Sequence, residues 1–195
     1  MKISHLVFHP DLNASRVNKA WSALIAASGK VTSSRDLYAE YPDFRIDVAR
    51  EQAELLAHDR IVFQFPFYWY STPPLLKKWL DDVLTYNFAY GTKGDKLAGK
   101  EMQLILSVGG PVESYMPGGY NSFSVTEFLR PLQQTATLCR MVYLPPMWMH
   151  DAISADEATV TEYGRRWVEA LDDPGRSDPW SFQRKAIARS TRLPS

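Results

Sequence analysis

The sequence predicts an α/β fold in which a five-stranded parallel sheet of order 2-1-3-4-5 carries helices on both faces, a three-layer sandwich. Two observations support this. Strand-like and helix-like stretches alternate five times, one helix after each strand, and that order builds a parallel sheet with crossover helices on its faces. The length of 195 residues suits one domain with a sizeable core. In this strand order the chain reverses between strands 1 and 3, and ligands bind outside the carboxyl ends of the strands at that point.

The elements follow in order. ISHLVFH (3–9) is a short buried strand, and HPDLNAS a loop. From Ser15 a helix is expected, because Val17, Ala20, Trp21, Leu24, Ile25 and Ser28 fall on one face and only the last is polar. Gly29 is its natural stop. KVTSSRDLY (30–38) is a weaker, mostly polar strand, and DVAREQAELLAHD (47–59) is helical in composition. RIVFQF (60–65) is the strongest buried strand. PPLLKKWLDDVL (73–84) is a marked helix with Leu75, Leu76, Trp79, Leu80, Val83 and Leu84 on one face, Thr72 as its expected cap and Pro73 in its first turn. EMQLILSV (101–108) is a strand ending at Gly109-Gly110. SVTEFLRPLQQTATLC (124–139) reads as one helix kinked at Pro131. MVYLPP (141–146) is the last strand and ADEATVTEYGRRWVEALDD (155–173) the last helix. Residues 1–173 form the domain, and 174–195 are a basic extension packed loosely or against a partner.

Composition excludes several classes. Lys and Arg number 22, matched by 22 Asp and Glu, so no bulk charge attracts nucleic acid. Hydrophobic residues at 45% and charged ones at 23% are ordinary globular values. The single cysteine, Cys139, cannot form an internal disulfide, which makes a reducing cytoplasm the expected location. The N-terminal apolar stretch is cut off by Pro10 and Asp11, too short for a secretion signal, and no run approaches the ~20 apolar residues of a membrane span.

Three loops carry the candidate chemistry. The first holds His9 and SRVN (15–18) at a helix start, where unpartnered N–H groups receive phosphate well. Ser15 adds a hydroxyl, Arg16 a fixed charge and Asn18 an amide. The plainer reading makes Ser15 an N-cap and Arg16 a surface charge. The second loop, FPFYWYSTPP (65–74), places Phe67, Tyr68, Trp69 and Tyr70 in a row. Such rings suit a stacked heteroaromatic cofactor, or equally a core cluster or a dimer contact. The third, SVGGP (107–111), has paired glycines that admit close approach to the backbone, or form an ordinary turn. Tyr115 follows, and YMPGGYNSF (115–123) reads as a flap hinged at Gly118-Gly119. All three loops fall on one sheet edge, which favours a flat, phosphorylated cofactor.

Other sites are not supported. Neither GxGxxG nor GxxxxGK[ST] is present, and there is no GxSxG elbow. His5, His9, His58 and His150 show no metal-ligand spacing. His58 reads as a surface helix residue, His150 as structural, and Cys139 as a buried, inert thiol.

On these residues the chain resembles the flavodoxin-like NAD(P)H:quinone oxidoreductase family, related to DT-diaphorase. It is especially similar to the bacterial ancillary oxidoreductases of glutathione-gated potassium efflux systems and to the general stress flavoproteins. The likeness runs from about residue 3 to 170 and is strongest in FPFYWYSTPPLLKKWLDDVLTYNFAYG (65–91). DLYAE (36–40), SVGGP and FLRPLQQTATLCRMVYLPP (128–146) extend it.

The resemblance implies that His9, Ser15, Arg16, Val17 and Asn18 hold a flavin phosphate. Pro66, Phe67, Tyr68, Trp69 and Tyr70 would line the isoalloxazine, and Ser107, Val108, Gly109 and Gly110 its polar edge. Tyr115 would assist hydride transfer. Mammalian members carry a histidine a few residues after that tyrosine. Here Tyr120 and Asn121 stand nearest, so they are the substrate-side candidates and the tyrosine–histidine relay is not carried over.

The implied cofactor is FMN, with FAD the alternative, and the implied donor is NAD(P)H. The implied reaction is two-electron reduction of a quinone-type acceptor by ping-pong hydride transfer in a cytoplasmic homodimer. The alternative role is a redox-active ancillary subunit of a glutathione-gated potassium efflux system, touching a membrane transporter without itself entering the membrane. A one-electron carrier is disfavoured by the neutral charge. A flavin-free interaction domain would leave the aromatics as a contact patch.

Overall fold

The computed structural model describes residues 1–177. The strands are β1 (Ile3–Val7), β2 (Ser33–Asp36), β3 (Arg60–Pro66), β4 (Glu101–Ser107), β5 (Val142–Tyr143) and β6 (Met147–Met149). The helices are α1 (Arg16–Ala27), α2 (Leu37–Glu40), α3 (Val48–Ala57), α4 (Pro74–Val83), α5 (Val125–Phe128), α6 (Arg130–Leu138) and α7 (Glu157–Ala170). The sheet runs β2-β1-β3-β4-β5, with β6 also pairing β4, and every pairing is parallel. The expected order holds.

β5 and β6 share the fifth position. β5 pairs with Glu101 and Met102, whereas β6 pairs with Ile105, Leu106 and Ser107. Pro145 and Pro146 lie between them and have no N–H to give the ladder, which breaks the strand. Gln103 spans the break by donating from Nε2 to the Pro145 carbonyl at 3.0 Å. The expected last strand, 141–146, is therefore only the first half of that position.

The layers separate two apolar clusters. On one face α1 and α7 cover Ile3, Val62 and Ile105 with Val17, Trp21, Ile25, Val160 and Trp167. On the other, Leu55, Leu75, Leu76, Trp79, Val83, Leu132 and Ala136 cover Leu6, Phe63, Phe65 and Leu104. α1 and α7 approach closely at Gly164, where a Cβ would lie 2.6 Å from Leu24 Cδ1 and 3.0 Å from Trp21 Cδ1. Trp21 donates to the Val160 carbonyl at 2.9 Å and packs edge-on against Trp167.

Several local expectations change. Thr72 does not cap α4: its N-cap is Pro73, without a side-chain bond, and Pro74 opens the helix, since a proline has no N–H to satisfy there. The expected kink at Pro131 is a break into α5 and α6 at Leu129, with a Ser124–Glu127 capping box starting the first piece. Asp36 caps the unexpected α2 by accepting from the Tyr38 and Ala39 amides. His58 is buried, with Nδ1 bonded at 2.7 Å to the Glu54 carbonyl at the end of α3. Gly29 ends α1 with φ +71°, and Cys139 is buried, which raises its thiol pKa. At the amino end of the sheet, buried Arg60 pairs with Glu101 at 2.6 Å. Arg176 there donates to Gln103 Oε1 at 3.2 Å, docking the start of the C-terminal extension. The rest of that extension, 178–195, lies outside the described residues. Among the described residues no helix is long and apolar enough to cross a membrane.

Candidate active site

Parallel register brings the strand ends together. Val7 is level with Gln64, Pro66 with Ser107, and Ser107 with Met149. The loops after β1, β3, β4 and β6 therefore leave the sheet side by side. They enclose a cleft of about 440 Å³ lined by His9, Ser15, Arg16, Val17, Asn18, Pro66, Phe67, Tyr68, Ser107, Gly109, Ala152 and Ile153. A hollow of about 300 Å³ shares Phe67, Gly109 and Ile153 with it and adds Trp69, Tyr70, Gly110 and Tyr115. Thus fourteen of the cofactor and catalytic candidates meet in one place; the exception, Val108, fills the core and pairs through its amide with Met149 and through its carbonyl with Ala152.

The helix start at α1 presents several hydrogen-bond donors to the cleft. Ser15 caps it, its Oγ accepting from the Asn18 amide at 3.1 Å, and the hydroxyl proton stays available. The Arg16 and Val17 amides belong to the first turn, which has no intrahelical acceptors. His9 accepts the Asp11 amide on Nδ1 at 3.1 Å, which leaves Nε2–H as its donor in the neutral ring. Burial, opposed by that Asp11 bond, lowers its pKa. Arg16 does something the spacing did not show. Its guanidinium donates to the carbonyls of Ala152 at 3.3 Å, Ile153 at 3.2 Å and Ala155, tying the loop after β6 to the helix start. Its charge therefore sits beside the cleft while its hydrogen bonds hold a wall.

The aromatic loop is a tight turn. Ser71 N donates to Tyr68 O at 2.9 Å, and the two central residues, Trp69 (φ 48°) and Tyr70 (φ 61°), are both left-handed. That is the geometry of a type I′ turn, which normally takes Asn-Gly. Bulky residues there are strained. The four rings divide their work. Phe67 packs against Tyr70, Tyr115 and Phe128 at centroid distances of 6.4, 6.1 and 5.8 Å, and Tyr70 stacks on Phe128 at 5.0 Å. Tyr68 packs edge-on against His9. Trp69 stands 91% exposed.

The flap is a series of turns. Gly119 is boxed in by the Glu113 and Ser114 carbonyls, 2.5 and 2.7 Å from where a Cβ would lie, and Asn121 N donates to Ser114 O at 2.9 Å. Tyr70 donates its hydroxyl to Asn121 Oδ1 at 3.0 Å, joining flap to aromatic loop. Tyr120 is 92% exposed and does not line the cleft. Burial, then the neighbouring Tyr70, raises the Tyr115 pKa, so the phenol is a neutral donor at physiological pH.

Sequence reasoning missed the loop after β6. His150 lies 5.3 Å from the Tyr115 ring; it accepts from Trp148 Nε1 at 2.9 Å and bonds the Gly110 carbonyl through Nδ1 at 3.2 Å. A Trp indole only donates, so the His150 proton is on Nδ1. The visible signal was MWMH itself, a short apolar run after a proline pair. The loop it leads to could be placed at the sheet edge only once β6 was known to exist.

A family model described as flavodoxin-like fold matches residues 1–171, and the chain belongs to that family. An NAD(P)H oxidoreductase of Bacillus subtilis (strain 168), YdeQ, is 47% identical over 88% of this chain and 86% of its own length. The glutathione-regulated potassium-efflux system ancillary protein KefG of Cronobacter sakazakii is 40% identical over 89% of this chain and 94% of its own. Among solved structures, general stress protein 14 of Treponema denticola in complex with FMN superposes with a TM-score of 0.81 at 41% identity, covering 88% of this chain and all of that one. An NADPH-quinone reductase of P. pentosaceus gives 0.79 at 30%, covering 89% and 99%. A structure described as a thermophilic tryptophan halogenase of Streptomycin violaceusniger gives 0.84 at 46%, covering 88% and 98%.

Proposed function

We propose that the chain is an FMN-dependent NAD(P)H oxidoreductase acting on quinones or similar two-electron acceptors. The observation that carries this is the pair of adjoining hollows in which a donor-rich helix start, an aromatic wall and a glycine pair converge at the switch point of the sheet. The FMN complex of the Treponema denticola relative supports the cofactor, and the P. pentosaceus relative supports the acceptor class.

When bound, FMN supplies the redox chemistry, accepting hydride from NAD(P)H and passing two electrons on. The chain's own residues bind and orient. Ser15 and the Arg16 and Val17 amides receive the phosphate, and His9 adds its Nε2–H. Pro66, Phe67 and Tyr68 wall the ring site with Asn18 and Ser107 behind. Gly109 and Gly110 let a flat group lie against the backbone, since a side chain on Gly110 would meet Tyr115 at 3.3 Å. Tyr115 offers a neutral hydroxyl, positioned by Phe67, Phe128 and His150. Trp69 and Tyr70, the latter bonded to Asn121, border the open side where nicotinamide and acceptor would take turns, which is the ping-pong order.

We further propose residues 1–173 as the working domain and a cytoplasmic homodimer as its form, because Trp69, Tyr120 and Phe123 expose large rings that a second copy would cover. Similarity to KefG favours a second role beside a membrane transporter. Co-sedimentation with transporter-containing vesicles, absent with empty ones, would support that role.

The deciding experiment is the visible spectrum of the purified protein, followed by NADPH without oxygen and then a quinone. A yellow protein that bleaches with NADPH and recovers with quinone is expected. A protein that stays colourless after incubation with FMN would overturn the proposal.

A further inference from the structure

A chain of polar side chains, buried from His5 onward, ends in the cleft. Ser34 Oγ meets His5 Nδ1 at 2.9 Å, and His5 Nε2 meets Gln64 Oε1 at 3.0 Å. Gln64 Nε2 meets the Asn18 carbonyl at 2.8 Å and Asn18 Oδ1 at 3.2 Å. Asn18 Nδ2 meets Ser107 Oγ at 2.8 Å. His5 and Gln64 are 0% exposed and Asn18 is 1% exposed, so water cannot replace these partners.

One atom sets the direction of the whole chain. The Asn18 backbone carbonyl can only accept, so the NH₂ of Gln64 must face it. The second Gln64 proton then goes to Asn18 Oδ1, which leaves the Asn18 NH₂ to face Ser107. At the other end Gln64 Oε1 faces His5 and can only accept, so His5 carries its proton on Nε2 and accepts from Ser34 on Nδ1. Burial holds that ring neutral, with its pKa lowered to about 4. Ser107 Oγ is thus committed as an acceptor from Asn18, and its own proton is left for the cleft it lines.

We infer that Ser107 donates its hydroxyl proton to the molecule in the cleft, and that His5, Gln64 and Asn18 are positioning residues that direct that proton there from inside the sheet. The inference rests on the flavin reading of the cleft. The matching ligand group is an acceptor, a carbonyl oxygen or an imine nitrogen, and a fixed donor favours an acceptor that gains negative charge. Such a group occurs on the polar edge of a flavin.

The test has two arms. Nitrogen-15 NMR of the imidazoles in the flavin-free protein, from pH 5.5 to 8, should show His5 neutral with its proton on Nε2. A proton on Nδ1, or a charged ring, would overturn the relay. The second arm is a double-mutant cycle on FMN affinity with Asn18→Asp and Ser107→Ala. Asn18→Asp keeps the acceptor for Gln64, but its carboxylate takes the Ser107 proton and turns the hydroxyl away from the cleft. Its added charge acts in both backgrounds and cancels in the cycle. Asn18→Asp should weaken FMN about threefold or more beyond its effect in the Ser107→Ala background, as one lost hydrogen bond implies. Additive effects would overturn the inference. If Asn18→Asp does not fold, the His5 tautomer in the unsubstituted protein decides the direction. Failure of the unsubstituted protein to bind FMN would instead defeat the flavin reading, and the tautomer would still decide the relay.

Discussion

Lowering the pH from 7 to 5 should destabilise this protein in large part through His5. The ring is fully buried and its pKa is lowered from 6.5 to about 4 by desolvation, against the opposing bond to Gln64. Between those two values the unfolded chain binds a proton that the folded chain refuses. The stability associated with neutral His5 is therefore whole above pH ~6.5 and is lost as pH falls toward ~4. At pH 5 the unfolded imidazole is almost entirely charged and the folded one about one-tenth charged, so the loss relative to pH 7 comes to about 2 kcal/mol. Urea unfolding followed by tryptophan fluorescence at both pH values measures it, because buried Trp21 and Trp79 report global unfolding. His5→Gln serves as the reference. It shifts stability at both pH values but removes this titration, and contributions from His9 and the carboxylates remain common to the two proteins. The reasoning fails if the two proteins lose stability in parallel between pH 7 and pH 5.

Other consequences follow from the same geometry. Trp69→Asn should raise stability by about 1 kcal/mol, or roughly 2–4 °C in a melting scan, by relieving a left-handed bulky residue whose side chain packs on little, while weakening turnover with NAD(P)H and acceptor. Gly164→Ala should cost about 1–2 kcal/mol in urea unfolding despite the better helix former, because Trp21 is pinned by its bond to Val160 and cannot retreat; FMN affinity should stay unchanged. Ser15→Ala combined with Arg16→Ala should weaken FMN binding about tenfold or more in a fluorescence titration, since it removes a hydroxyl, a nearby charge and the clamp on residues 152–155 together.

Much of the molecule was legible from local pattern. The alternation of strand and helix pointed to a parallel sheet with helices on both faces, because a parallel sheet needs a crossover after every strand, and with one helix per strand and this length the order 2-1-3-4-5 is the first expectation. Gly29 stopped α1 as expected, since a left-handed C′ position is cheapest for glycine. The candidate residues after β1, β3 and β4 could be assigned to one edge for the same reason: in a parallel sheet all carboxyl ends point the same way.

What tertiary structure decided is where side chains spend their hydrogen bonds. The sequence contains Arg16, yet no spacing rule says that its guanidinium reaches the carbonyls of residues 136 to 139 positions away. Asn18, Gln64, His5 and Ser107 come from α1 and three different strands, and form a chain only after burial removes water as an alternative partner. His150 read as structural because it follows the last strand near Trp148, which it does bond, and only pairing of β6 with β4 brings it beside Tyr115. Backbone pattern is a local property, written in periodicity and punctuation. Side-chain partnership depends on which strands become neighbours, and that is settled by the packing of the whole domain.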